Sequence, residues 1–137
     1  SIAGQRETTL DQTPFFLGLK NNPPVLRRLL EVLMIVWTVT DVAADYSVSS
    51  DDVVLLVNAE GEGDGITITL PDVASNPGRV IVIKDRDGNS AGRAITISSA
   101  GGQTIDGSNT SFSLQANYGA VLLIGGNSNK WHTLALV

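Results

Sequence analysis

Residues 53–71 decide the fold. Val53-Val54-Leu55-Leu56-Val57 is followed by Asn58-Ala59-Glu60-Gly61-Glu62-Gly63-Asp64-Gly65, then by Ile66-Thr67-Ile68-Thr69-Leu70, closed by Pro71. The first run is continuously apolar, the pattern of a strand covered on both faces. The glycine-punctuated stretch reads as a turn, and the second run alternates with the two-residue period of a half-buried strand. Pro71 has no N–H to give a ladder and ends it.

The same grammar extends towards the C-terminus. Asn76-Pro77-Gly78 is a turn and 79–84 a strand. The polar loop 85–92 contains Asp87-Gly88, a hairpin-type dipeptide. Residues 94–98 alternate again. Gly101-Gly102 and Asp106-Gly107 bracket a short segment at 103–105, Phe112 and Leu114 flank Ser113, and 120–124 and 131–137 are the last runs. Eight or nine short strands with turns every eight to twelve residues predict a mainly β protein, an antiparallel, jelly-roll-like sandwich over 41–137. Ile66-Thr-Ile-Thr and Gly78-Arg-Val-Ile-Val-Ile are echoed by Ile95-Thr-Ile-Ser and Gly119-Ala-Val-Leu-Leu-Ile. The two spacings differ, which excludes a regular solenoid and reads as two hairpins of one sandwich.

Ahead of the strands the chain changes character. Residues 1–24 are polar with scattered apolar positions (Leu10, Phe15, Phe16 and Leu17) and read as an extended arm that orders only when docked. No basic segment followed by an apolar one begins it, so no signal peptide is expected. Residues 25–40 form an apolar neck. Pro24 suits the first position of a helix, and Leu26, Leu30, Leu33 and Trp37 follow at the four-three-four spacing of a coiled-coil seam. The competing reading is a short helix giving way to strand near Met34, because Ile35, Val36, Thr38, Val39 and Thr40 are β-branched. The apolar stretch 29–39 is too short for the roughly 20 residues that span a bilayer, so membrane insertion is not expected.

Composition narrows the function classes. At 137 residues, 42% hydrophobic and 17% charged, the chain is one ordinary globule with an appendage. With no cysteine it can have neither disulfides nor thiolate metal sites, and its single histidine excludes a histidine-rich metal cluster. A net charge of −5 argues against nucleic-acid binding, which needs clustered Lys and Arg.

The chemical motifs fail in turn. Asp85-Arg-Asp-Gly-Asn-Ser begins like a calcium loop but has Ser90 where Gly is needed and Thr96 where a bidentate Glu is needed, so it reads as a solvated hairpin tip. Gly61-Glu-Gly-Asp-Gly precedes a strand rather than the helix a phosphate cradle requires. His132 follows Trp131 in a strand and faces the other way. Asp51, Asp52, Glu60, Glu62, Asp64, Asp85 and Asp87 sit in turns, the usual place of solvated carboxylates. Trp131 and Tyr118 have the chemistry to stack on a sugar, though core or interface packing is the commoner use of so few aromatics. No catalytic residue, cofactor or metal is expected, and the chain reads as a non-enzyme.

The ordered series Tyr46-Ser-Val-Ser-Ser-Asp-Asp-Val-Val-Leu-Leu-Val-Asn, Ile66-Thr-Ile-Thr-Leu-Pro, Gly78-Arg-Val-Ile-Val-Ile-Lys-Asp, Ala94-Ile-Thr-Ile-Ser, Thr104-Ile-Asp-Gly and Asn129-Lys-Trp resembles the C-terminal head domains of bacteriophage fibre and decoration proteins. The resemblance covers about 41–137. It implies a homotrimer on the virion surface, at capsid or tail. The arm and neck lie outside the resemblance; their own apolar residues lead to the expectation that the seam Leu26, Leu30, Leu33 and Trp37 lies on the three-fold axis and that Leu10, Phe15, Phe16 and Leu17 anchor the arm to a capsid or tail structural protein. A long shaft is missing, which favours a short head fibre or cement protein. The alternative is a receptor-binding or carbohydrate-binding tail-fibre or baseplate head that contacts a host-surface glycan.

Overall fold

The computed structural model describes residues 14–33 and 37–137. They belong to two compact units, 1–36 and 37–137.

In the first unit, α1 spans Pro14–Lys20 and α2 spans Pro23–Leu33. Helix α1 replaces the extended arm expected there. Pro14 presets the first helical φ, and none of Phe15, Phe16, Leu17, Gly18, Leu19 and Lys20 is β-branched. The turn to α2 is made by Asn21, whose N–H donates to the Leu17 carbonyl at 3.1 Å, and by Asn22, whose carbonyl accepts from Val25 and Leu26, both at 3.1 Å. Pro23 and Pro24 fall in the first turn of α2, where a helix has no internal partner for N–H groups, so two prolines cost nothing there.

Helix α2 carries Leu26, Leu30 and Leu33, whose spacing places them on one helical face. The seam does not continue to Trp37. The helix is described as far as Leu33, 34–36 lie outside the described residues, and Trp37 is not helical and falls in the second unit, half exposed. The β-branched residues win from this point: β1, Val39–Val42, lies parallel to β3. The neck therefore gives way to the β unit at 36/37 rather than 40/41.

The second unit is mainly β, a sandwich-like pair of mixed sheets. One sheet has the order β1, β3 (Val54–Val57), β5 (Val80–Asp85), β9 (Ala120–Gly125), β10 (Lys130–Leu136), β7 (Thr104–Ile105). The other has the order β2 (Tyr46–Ser47), β4 (Ile66–Thr69), β6 (Ile95–Ser98), β8 (Ser111–Leu114). From β1 to β6 each strand crosses to the opposite sheet, so every second strand returns in the same direction. Five of the eight strand pairings among the described residues are therefore parallel. Antiparallel pairing is confined to β5 with β9, β9 with β10, and β6 with β8.

This corrects the all-antiparallel expectation. Asp87-Gly88 is a corner between sheets, not a hairpin turn, because β5 and β6 belong to different sheets. The sequence echo has a different meaning too. Ile66–Thr69 lies parallel and in register with Ile95–Ser98 (Ile66 opposite Ile95, Ile68 opposite Ile97), as adjacent rungs of one winding. Val80 to Lys84 runs antiparallel to Ala120 to Ile124.

The inward faces form a single core: Leu55, Val57, Ile81, Ile83, Val121, Leu123 and Trp131 from one sheet; Ile66, Ile68, Ile95, Ile97 and Leu114 from the other. Trp131 is fully buried, and its indole N–H reaches the Pro71 carbonyl at 3.3 Å. Gly65, at φ 87°, admits the close approach of β4 to its neighbour. A Cβ there would lie 2.2 Å from the Ala94 carbonyl oxygen.

Candidate functional site

Three features stand apart from ordinary core packing: a pair of buried carboxylates, the outer face of the six-stranded sheet, and the loops at one end of the β unit.

The carboxylates overturn the expectation that every turn Asp is solvated. Asp52 and Asp85 are both buried. Asp85 sits at the end of β5. Its Oδ1 accepts from the N–H groups of Gly88 at 3.1 Å and Asn89 at 3.2 Å, and its Oδ2 from Ser90 and Tyr118, each at 3.0 Å. Four donors occupy the roughly four lone-pair directions of a carboxylate. Burial pushes the Asp85 carboxyl up, but the N–H groups of Ser90, Tyr118 and Asn89 outweigh it and hold the group below the ordinary range. The loop is an internally stapled corner rather than a solvated tip, and its first carboxylate has no free lone pair for a cation.

Asp52 is held the same way. It accepts from Thr40 Oγ1, Tyr46 Oη and the Ser49 N–H, each at 2.7 Å. Burial again raises its pKa, and the Thr40, Ser49 and Tyr46 donors together lower it by more. Both groups are held ionised, the reverse of a general acid poised near neutrality. Among the described residues no three His, Asp or Glu side chains gather as a metal site would require. His132 is exposed on the face of β10 opposite Trp131.

The outer sheet face is where the apolar runs resolve. Strand β3 was expected to be covered on both faces. Leu55 and Val57 are buried, but Val54 and Leu56 point outward and are only half buried. The register carries this across the sheet: Val39, Val54, Val82, Leu122 and Ala135 form one row over five strands. Leu56 and Ala120 lie in the next row with Asp41 and Lys84, and Val80, Ile124 and the exposed His132 lie on the other side. The two charges are tied off within the chain. Asp41 pairs with Arg86 at 2.9 Å, and Lys84 donates to the Tyr118 carbonyl. Position-by-position reading of the sequence missed this face, although the continuously apolar runs 53–57 and 120–124 were its signal.

At the end of the β unit, the loop 86–94 meets 115–119. Ser90 Oγ donates to the Ala116 carbonyl at 2.6 Å, and the Ala91 N–H donates to Asn117 Oδ1 at 2.9 Å. Tyr118 is 61% exposed with φ 61°. Of the two aromatics with stacking chemistry, only this one is accessible.

Of the residues expected to anchor the arm, Leu10 lies outside the described residues. Phe15, Phe16 and Leu17 lie on α1, and Leu17 is exposed. On α2, Leu26 and Leu29 are half buried and Val25 is exposed. No helix among the described residues is long and apolar enough to cross a membrane. Comparison with protein-family models and with curated proteins finds no match to this chain.

Proposed function

We infer that this chain is a structural protein of a bacteriophage particle: a short homotrimeric head fibre or capsid decoration protein, non-enzymatic, attached through its N-terminal segment. The observation that supports self-association best is the outer face of the six-stranded sheet. Five strands about 4.8 Å apart, with three outward rows, make an apolar face on the order of 400 Å². That matches the largest patch a monomer normally shows, and such patches mark contact sites. A second copy of this chain fits it. Asp41 and Lys84 already have partners within the chain and His132 stands at one margin, so the central row can be dehydrated without stranding a charge. The area is below the roughly 800 Å² per partner of a standard interface, so the strand units need a second contact. Helix α2, with Leu26, Leu30 and Leu33 on one face, supplies it by holding copies at high effective concentration. The count of three and the virion setting rest on the resemblance of 41–137 to phage fibre and decoration heads.

Attachment falls to the first unit, where Phe15, Phe16 and Leu17 occupy a seven-residue helix, too short to be stable alone in water. Such a segment gains its order by docking, and three copies acting together offset the entropy lost. Removal of residues 1–22 is expected to abolish incorporation into phage particles while leaving the β-type circular dichroism unchanged. Incorporation of the truncated chain at normal copy number would place attachment in the β unit and overturn this division of labour.

A further inference from the structure

The exposed apolar side chains of the β unit are not scattered. Of six large ones, Trp37 and Val39 stand just before or in β1, and Leu134, Leu136 and Val137 stand at the end of β10. Only Tyr118 lies elsewhere. Strands β1 and β10 lie towards opposite edges of the six-stranded sheet. One chain cannot bring the two groups together, because four strand spacings of about 4.8 Å hold them roughly 19 Å apart.

Both edges are open. Strand β1 is the last on its side. On the other side β7 lies beside β10 only at Lys130 and Trp131, and the Asp106 carboxylate takes the Thr133 N–H at 3.0 Å and its hydroxyl at 2.7 Å. Leu134 is the extra residue of a bulge, after which the ladder to β9 resumes with Ala135 opposite Leu122. Residues 134–137 therefore have no strand on their outer side among the described residues. Open edges are commonly blunted by a charged side chain or a proline, and Leu134-Ala135-Leu136-Val137 has neither.

The backbone groups on the two edges complement each other. Val137 and Ala120 exchange both N–H···O bonds at 2.9 Å, so the alternation of an antiparallel ladder turns the N–H and C=O of Leu136 away from β9. The carbonyls of Thr38 and Val42 accept from the N–H groups of Val54 and Asn58, at 3.0 and 2.8 Å. The two-residue period then turns the C=O of Val39 and the N–H of Asp41 away from β3. In a parallel pair, one residue bonds through both its groups to the two neighbours of the residue opposite. With Leu136 opposite Thr40, the Leu136 N–H meets the Val39 carbonyl and the Asp41 N–H meets the Leu136 carbonyl. The same register sets Ala135 beside Val39, the two ends of the outward row, so that row continues from one copy into the next. Strand β10 runs in the direction of β1, because β1, β3 and β5 are parallel and two antiparallel steps follow. Rotation about an axis along the strands preserves that direction.

We propose that residues 134–137 of one copy pair in parallel with β1 of the next, head to tail around a three-fold axis. This rests on the self-association proposed above and supplies the joint that closes it. The partner is a second copy because each edge is completed by the opposite edge of the same sheet. Covering Trp37, Leu134, Leu136 and Val137 at roughly 100 Å² apiece adds on the order of 400 Å² per copy to the outer face. Together they reach the roughly 800 Å² that one partner gives to a standard interface.

The chain has no cysteine, so introduced thiols report on this contact alone. The full-length chain carrying Val39→Cys and Ala135→Cys is oxidised at micromolar concentration and run on a denaturing gel without reductant, with its mass read beforehand by light scattering. Paired positions lie within reach of a disulfide, so three covalently joined chains are expected, released to single chains by dithiothreitol. Either substitution alone should leave the chains unlinked, since a head-to-tail contact does not set a residue beside its own counterpart. Hydrogen exchange on the unsubstituted chain adds a second reading: the Leu136 and Asp41 amides should exchange at least about tenfold more slowly than unpaired amides. A trimer by mass that forms no covalent trimer, cross-linking of either single variant with itself, a ladder of longer covalent species, or unprotected Leu136 and Asp41 amides would each overturn the edge pairing while self-association stands. A monomeric wild-type chain would overturn both.

Discussion

At the scale of single residues, Asp85 is the most consequential polar group. It joins the end of β5 to two loops through four N–H donors, and none of its oxygens faces water. Asp85→Asn replaces one acceptor oxygen with an NH2 group opposed to N–H donors, which leaves buried donors unpaired. This should cost about 3 kcal/mol, or about 10 °C in melting temperature at neutral pH. The acid limb of the stability profile carries the same signature. Burial raises the pKa of Asp85 and Asp52 but their donors lower it by more, and Asp106 is lowered by the Thr133 hydroxyl and N–H. Between the low folded values and the ordinary unfolded value near 3.9, the unfolded chain binds more protons, so stability rises with pH in that window. The contribution is full above about pH 5 and is lost as pH falls through the folded values. Thermal melts from neutral to strongly acidic pH should show that loss, with a shallower slope for Asp85→Asn. A variant that melts with wild type at every pH would remove Asp85 from its structural role.

At the scale of elements, the outer row of the six-stranded sheet can be separated from its inner one. Leu122 is half buried on the outside between Val82 and Ala135, while Leu123 beside it is fully buried. Leu122→Glu should therefore keep the β spectrum and shift the melting temperature by only a few degrees, yet reduce the mass in solution. A charged side chain tolerated there with assembly intact would clear the outer face of any role in it. The contrast also shows what a sequence exposes. Ile66–Thr69 and Ile95–Ser98 announce themselves as strands through alternation, and Pro71 and Gly65 bound the first of them. Nothing in that alternation encodes the direction of the partner. A strand facing a core looks the same in parallel and antiparallel pairing, so the crossing of each connection between sheets stayed hidden. Helix α1 was hidden for a different reason: seven residues are too few to display a helical period. Asp85 was misread because its partners are backbone N–H groups, which leave no mark in side-chain chemistry. The mark that did exist was local, an Asp followed at three, four and five positions by Gly88, Asn89 and Ser90, whose N–H groups turn back onto it.

At the scale of the whole molecule, the association proposed above would cover two surfaces: the row Val39, Val54, Val82, Leu122 and Ala135, and the side of α2 on which the spacing of Leu26, Leu30 and Leu33 places them. Burying apolar side chains from both contributes several kcal/mol per subunit at about 25 cal/mol per Å² before entropy is subtracted. The strand unit holds its polar groups close, with no buried side-chain N or O atom left unpartnered among the described residues. The most direct measurement is the solution mass of the full chain by multi-angle light scattering at micromolar concentration. The account predicts a single species of three times the 14.4 kDa chain. A monodisperse species of 14.4 kDa would contradict it.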